Sequence, residues 1–339
     1  MKILKNFYIH FVYKNGVALL SRYNSIYRYD GATHTIEKLF SIPYTNTFNN
    51  FTKNPLLGRA LRTEISHVLG LHDESILVFF DRKIYKVKEG KLLETHSITT
   101  CRRPINVYCT KNIIVWGDYI ISNVPKPVNI FISKDSGCNW DLTYTFKAGE
   151  IRHIHNILFD RFRNVYWILT GDEDRESGIW STTDFVNVEP LLIGSQKFRA
   201  VSIIPTIDGL IIPSDTPLEK NKIRFYSFQD NQVSDVADLN GSCMFASQVN
   251  REMFVSTMCE PSLVNKHKFT ELWHSRDGFK WKKVLSAKKD CLPVKLFQFP
   301  WINIPKYESG YNNNDYYFSM RCVLGGMRTV IINEKDLGQ

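Results

Sequence analysis

Short apolar stretches alternating with polar residues recur along the whole chain, and long helical periodicity is hard to find. The stretch 151–185, IRHIHNILFDRFRNVYWILTGDEDRESGIWSTTDF, holds one complete unit. A basic, imidazole-rich strand opens it, a turn follows over 160–164, and an apolar strand over 165–169 ends in an acidic loop. A third strand then starts at Ile179-Trp180. The first unit reads the same way, with strands at 7–13, 17–21, 25–29 and 35–40. The N-terminal stretch to Gly16 is read as a strand, since Asn6, His10 and Lys14 interrupt any apolar core of a signal segment.

A hydrophobic-aromatic pair marks each unit: Ile26-Tyr27, Ile84-Tyr85, Ile130-Phe131, Ile179-Trp180, Leu272-Trp273 and, more weakly, Arg224-Phe225. The aromatics lie 58, 46, 49, 45 and 48 residues apart, with Thr329-Val330 a seventh copy 57 residues on. A period near 47 residues with four short strands per unit predicts a seven-bladed β-propeller in one domain over 1–339. Six blades is the alternative if the irregular C-terminal unit is not a blade. A long Asn-rich connector, 41–64, separates the first two units, with a short helix expected around 55–61.

Composition narrows the class. Hydrophobic residues make up 43% of the 339 and aromatics 13%, enough for a large β-rich core. No apolar run reaches the roughly 18 residues of a membrane span. The seven cysteines form no CxxC pair, so neither a disulfide framework nor a zinc knuckle is indicated, and a reducing cytoplasm is the expected location. The net charge of +9 favours an anionic partner. Dispersed cations and the absence of a nucleic-acid motif point away from nucleic acid and toward an acidic oligosaccharide or polysaccharide.

In a propeller, first-strand starts and second-strand ends share a face. The starts carry Lys5, Arg62, Arg103, Arg152, Arg199 and Lys295; the ends carry Asp118, Asp172, Asp215 and Glu260. Longer loops in units three to six predict a walled cleft there. His153 and His155, two apart on a strand, point to one side beside Asp172. They suit a general base, or two ligands of a metal with Asp172 as carboxylate; a third histidine is not evident, and no metal or cofactor is expected. Arg103, Arg152 and Arg199, with Arg62, suit carboxylate binding, alongside Asp118 and Asp215. Cleavage of a glycosidic bond would be hydrolytic, with Asp172 and Glu260 as the carboxylate pair, or eliminative, with an imidazole as base.

Two hairpins, Ser133-Lys-Asp135-Ser-Gly137-Cys-Asn-Trp140 and Ser275-Arg-Asp277-Gly278-Phe-Lys-Trp281, with a degenerate copy at Thr182-Thr183-Asp184, resemble the Asp-box (BNR-repeat) hairpins of the sialidase-like propellers. In these hairpins each Trp should cover its own hairpin at the rim. The phrases His-Asn-Ile-Leu-Phe-Asp at 155–160, Thr-Gly-Asp-Glu-Asp at 170–174 and Phe198-Arg-Ala-Val-Ser202 also resemble propellers of bacterial surface-polysaccharide loci, a likeness covering roughly residues 100–290. The resemblance implies a glycan-acting enzyme or, alternatively, a non-catalytic glycan-binding or scaffold propeller of capsule or O-antigen biosynthesis. The sialidase Arg-Ile-Pro motif has no counterpart, since Arg103-Pro104-Ile105 runs in another order.

Overall fold

The computed structural model describes residues 1–44 and 54–337. Its strands form seven antiparallel sheets in chain order, the seven blades of a β-propeller. Blade one comprises Tyr8–Val12, Ala18–Arg22, Ser25–Tyr29 and Ile36–Ser41, within two residues of the strands read from the sequence. The Asn-rich stretch of the first connector lies outside the described residues. Its later part forms α1 (Pro55–Leu61), capped by Asn54, whose side chain accepts the Leu56 amide.

The apolar-aromatic pair falls on the third strand of its blade, and its role is geometric. Pairing between third and fourth strands shifts register at Ile26/Tyr27, Ile84/Tyr85, Ile130/Phe131, Ile179/Trp180 and Leu272/Trp273. In blade five the shift falls at Ile223/Arg224, one residue before the pair read from the sequence. At each of these six bulges the first residue is fully buried, worth roughly 1.5–3 kcal/mol per side chain. The bulge lets that residue point into the core while the outer strand twists away toward solvent.

The N-terminal stretch is two strands, not one. Asn6 turns the chain at φ 63°. Lys2–Lys5 pairs with Arg328–Asn333 as the outermost strand of blade seven, and Tyr8–Val12 begins blade one. The two ends of the chain thereby close the ring, and the C-terminal unit is a true blade. Lys5 therefore stands at the rim rather than at an inner-strand start, and Lys295 sits exposed on α2 (Val294–Phe297). A further two-residue strand, Lys306–Tyr307, pairs in parallel with Phe11 and Val12 on the axial side of blade one.

The hairpins read as Asp boxes share one hydrogen-bond scheme. Asp135 Oδ1 accepts the amides of Cys138 and Asn139, and Asp277 Oδ1 those of Phe279 and Lys280. The Ser133 and Ser275 hydroxyls accept the amides of Gly137 and Gly278. The copy at Asp184 repeats the scheme with Phe185, at φ 59°, in the glycine position. Gly137 and Gly278 have a second reason to be glycine. A Cβ on either would lie 2.6 or 2.5 Å from Leu77 or Ile211 of the preceding blade. Trp281 donates to Gly278 O at 2.8 Å, while half-buried Trp140 packs on Phe79, His96 and Trp116.

Candidate functional site

The inner strands surround an axial cavity of about 1640 Å³ to which every blade contributes, wider in reach than a cleft over blades three to six. A register shift recurs on three inner strands and leaves His10, His155 and Met244 as the extra residues; all three line the cavity. A bulge re-aims the side chain it carries. At His155 it turns the ring so that its Nε2 lies 3.1 Å from that of His153.

Both imidazoles are fixed from behind. His153 Nδ1 lies 3.1 Å from the Ile120 carbonyl and His155 Nδ1 3.0 Å from the Ala200 carbonyl. A carbonyl only accepts, so each Nδ1 carries the proton and each Nε2 presents a lone pair. Asp172 Oδ1 completes the cluster, 3.3 Å from His153 Nε2 and 3.6 Å from His155 Nε2. Burial pushes the His155 pKa down, keeping the ring neutral. The Tyr119 ring packs over His153 at 4.2 Å between centroids.

Arg199 ties this cluster to its neighbours. Its guanidinium donates to Asp172 Oδ1 and to the Asp172 carbonyl, both at 3.0 Å, and lies 3.6 Å from Asp215 Oδ2. Burial opposes the Asp172 charge, but its charged neighbours, Arg199 among them, hold the carboxyl well below its usual range. Asp215 goes the other way. Burial, with Glu260 and Asp172 nearby, pushes it up to about 7 against the pull of Arg199. The Ser242 hydroxyl lies against both Asp215 and Glu260, donating to Glu260 Oε2 at 3.2 Å.

Across the cavity the wall is basic. Arg103 and Lys306 line it, and among the described residues neither side chain has a hydrogen bond or ion pair. Burial and Arg321 push Arg103 down to about 10, and burial pushes Lys306 down to about 8. Both bear on His67, whose pKa falls to about 3 through burial and these charges. Arg321 is paired with Glu64 at 2.7 Å and lies 4.3 Å from the centre of the Tyr8 ring.

Of the residues singled out in the sequence, the cavity wall holds Arg62, Arg103, His155, Asp172, Arg199, Asp215 and Glu260. His153 stands directly behind His155. Arg152 lies outside the wall, half-exposed, pairing at 3.7–3.8 Å with Asp172, Glu173 and Glu176. Asp118 is fully buried away from the cavity. It accepts from Thr100, the Asn129 amide and Asn129 Nδ2, which is a loop-fixing role. Arg199 is buried and engaged by two carboxylates, so it braces the site more than it offers a free guanidinium. Sequence reading missed Lys306, Arg321, His67 and Tyr8. A lysine in a two-residue strand near the C-terminus carries no signal that it will face a strand nearly 300 positions earlier.

No family model and no curated protein matches this chain. Solved structures do share its fold. A chain of a mitotic checkpoint complex superposes with TM-score 0.58 at 9% identity, over 98% of this chain and 90% of that one. An oligogalacturonate lyase from Vibrio parahaemolyticus gives 0.61 at 11%, over 97% and 89%. An oligogalacturonate lyase in complex with manganese gives 0.60 at 8%, over 99% and 91%. The protein is a seven-bladed β-propeller. At these identities the likeness extends to the fold, a ring found both in a multi-protein complex and in a lyase, so chemistry must be argued from the site.

Proposed function

We propose that this propeller cleaves a glycosidic bond in an acidic glycan bound in its axial cavity. The observation that carries the reading is the division of the cavity wall. Two partly desolvated cations whose side chains have no partner among the described residues, Arg103 and Lys306, face a carboxyl-rich wall in which Asp215 keeps its proton near neutrality. The cations suit the carboxylate of a uronic or nonulosonic acid, since a buried cation without a partner gains most from an anion.

Hydrolysis uses a protonated carboxyl beside an ionised one. Asp215 takes the part of proton donor to the leaving oxygen, and Glu260, on the next blade and joined to it through Ser242, that of nucleophile or base. Asp215 thus replaces Asp172 in the pair, because Asp172 is committed to the histidines and Arg199. Lys306 favours a second reading, elimination. With its pKa near 8 a fraction is free amine at neutral pH, able to remove the C5 proton of a uronate whose carboxylate Arg103 neutralises, while the C4–O bond breaks and Asp215 gives its proton to the departing oxygen. Lyases of the same fold named for oligogalacturonate support an acidic glycan as substrate.

Incubation with a panel of oligosaccharides containing uronic or nonulosonic acids tests this. Ultraviolet absorbance of an unsaturated uronide marks elimination, and new reducing ends without it mark hydrolysis. Saturable binding with no product would overturn cleavage in favour of a glycan-binding or scaffold propeller.

A further inference from the structure

We propose that His153, His155 and Asp172 form a binding site for one divalent first-row transition-metal cation on the wall of the axial cavity. This goes beyond glycan cleavage and does not depend on it.

The argument begins with protons. Each imidazole gives its Nδ1 hydrogen to a backbone carbonyl, so both Nε2 atoms present lone pairs, yet they stand 3.1 Å apart and face a carboxylate oxygen. Three acceptors gathered in a buried corner repel one another unless a positive species lies between them. A carbonyl behind each ring is also the usual outer support of a metal-bound histidine, fixing tautomer and ring plane together.

The distances select the species. The three donor atoms are separated by 3.1, 3.3 and 3.6 Å. A point equidistant in their plane lies about 1.9 Å from each, so an ion slightly out of plane sits about 2.1 Å from all three, with angles of roughly 90–120°, as transition-metal ligation requires. Calcium needs longer bonds and more oxygens, and two imidazoles suit magnesium poorly. Asp172 is the most exposed of the three ligands and, with His155, lines the cavity, which leaves the remaining coordination positions open to solvent or substrate.

The surroundings match a cation in charge and in shape. Arg199 shares Asp172 Oδ1 and so orients that carboxylate. The carboxylates of Asp172, Glu173, Glu176 and Glu260 outnumber the guanidinium groups of Arg152, Arg175 and Arg199, and among the described residues the buried Glu176 Oε2 has no hydrogen-bond partner. Gly171, across the strand pair from His153, leaves the space His155 needs. A proton shared between the two Nε2 atoms is the rival occupant.

Isothermal titration of the full-length, chelator-stripped protein with Mn²⁺, Zn²⁺ and Mg²⁺ separates them. One saturable site per chain is expected for Mn²⁺ and Zn²⁺, with Mg²⁺ at least about a hundredfold weaker, and a rise in melting temperature on loading. His155→Gln and Asp172→Asn should each weaken binding at least about tenfold and alter the visible absorption of the Co²⁺-loaded protein. Absence of saturable Mn²⁺ or Zn²⁺ binding to folded wild-type protein would overturn the proposal in favour of the shared proton. So would unchanged affinity in either variant. No glycan enters the titration, so its result stands apart from that of the cleavage assay.

Discussion

Gly171 lies so close to His155 that a Cβ built on the glycine would sit 2.9 Å from His155 Cε1 and 3.2 Å from Arg199 Cγ. The absence of a side chain at this strand end therefore sets the positions of an imidazole and a guanidinium at once. Gly171→Ala must push one of them, and overpacking of this kind costs roughly 1–3 kcal/mol. Thermal denaturation should show that loss, together with a fall in turnover of any acidic oligosaccharide the wild type cleaves. Unchanged stability and full turnover would mean that the neighbours yield freely and the packing does not hold the site.

Arg103 is the cleanest probe of anion recognition. It lines the cavity half-buried, and among the described residues its side chain has no hydrogen bond or ion pair, so Arg103→Ala removes a partly desolvated cation without orphaning a partner. Stability should hold or rise. Binding of an acidic oligosaccharide should weaken by roughly 1.5–3 kcal/mol, the range of a charge-assisted hydrogen bond, while a neutral analogue is much less affected. Equal losses for both ligands, read by calorimetry, would remove Arg103 from the recognition site.

The ring and half of the site were legible in the sequence, for physical reasons that also mark where legibility ended. The apolar-aromatic pair repeats because six blades place a fully buried third-strand residue opposite a fourth-strand bulge; Ile223-Arg224 lacks the aromatic, and there the reading slipped by one residue. Asp172, Asp215 and Glu260 were visible as second-strand ends because strand polarity dictates the face. The basic wall was not, because Lys306 reaches the axis through a parallel pairing with Phe11 that no local spacing encodes. The division of the N-terminal strand at Asn6 likewise follows from ring closure, a long-range demand that a local pattern does not express.

Lys306 should give anion binding a pH dependence. Its pKa is depressed to about 8 by burial, so its charge is present below that pH and lost above it. An anionic ligand binds the protonated form, and affinity should fall by roughly 1–2 kcal/mol as pH rises through about 8 to 10. The groups that bear on it are Cys109 and His67, and His67 stays neutral throughout this range. Lys306→Met should bind more weakly at neutral pH and flatten the profile. A profile equally steep in the variant would assign the dependence to another group.

Asp215 links the proposed chemistry to folding. Its pKa in the folded chain is about 7, against an ordinary 3.8. Below about pH 4 the carboxyl is protonated in both states and its burial carries no charge penalty. Between about 4 and 7 the unfolded chain loses this proton while the folded chain keeps it, so the group's contribution to stability falls as pH rises and levels off above 7. Three pKa units set a ceiling of about 4 kcal/mol, and relaxation around a site that opens onto the cavity reduces this to roughly 2. Asp215→Asn removes the titration. The variant should match the wild type near pH 4 and exceed it by roughly 2 kcal/mol near pH 8 in urea denaturation, while losing hydrolysis because an amide cannot donate the proton. Parallel stability profiles in wild type and variant would show that Asp215 ionises normally, and would remove it as the acid.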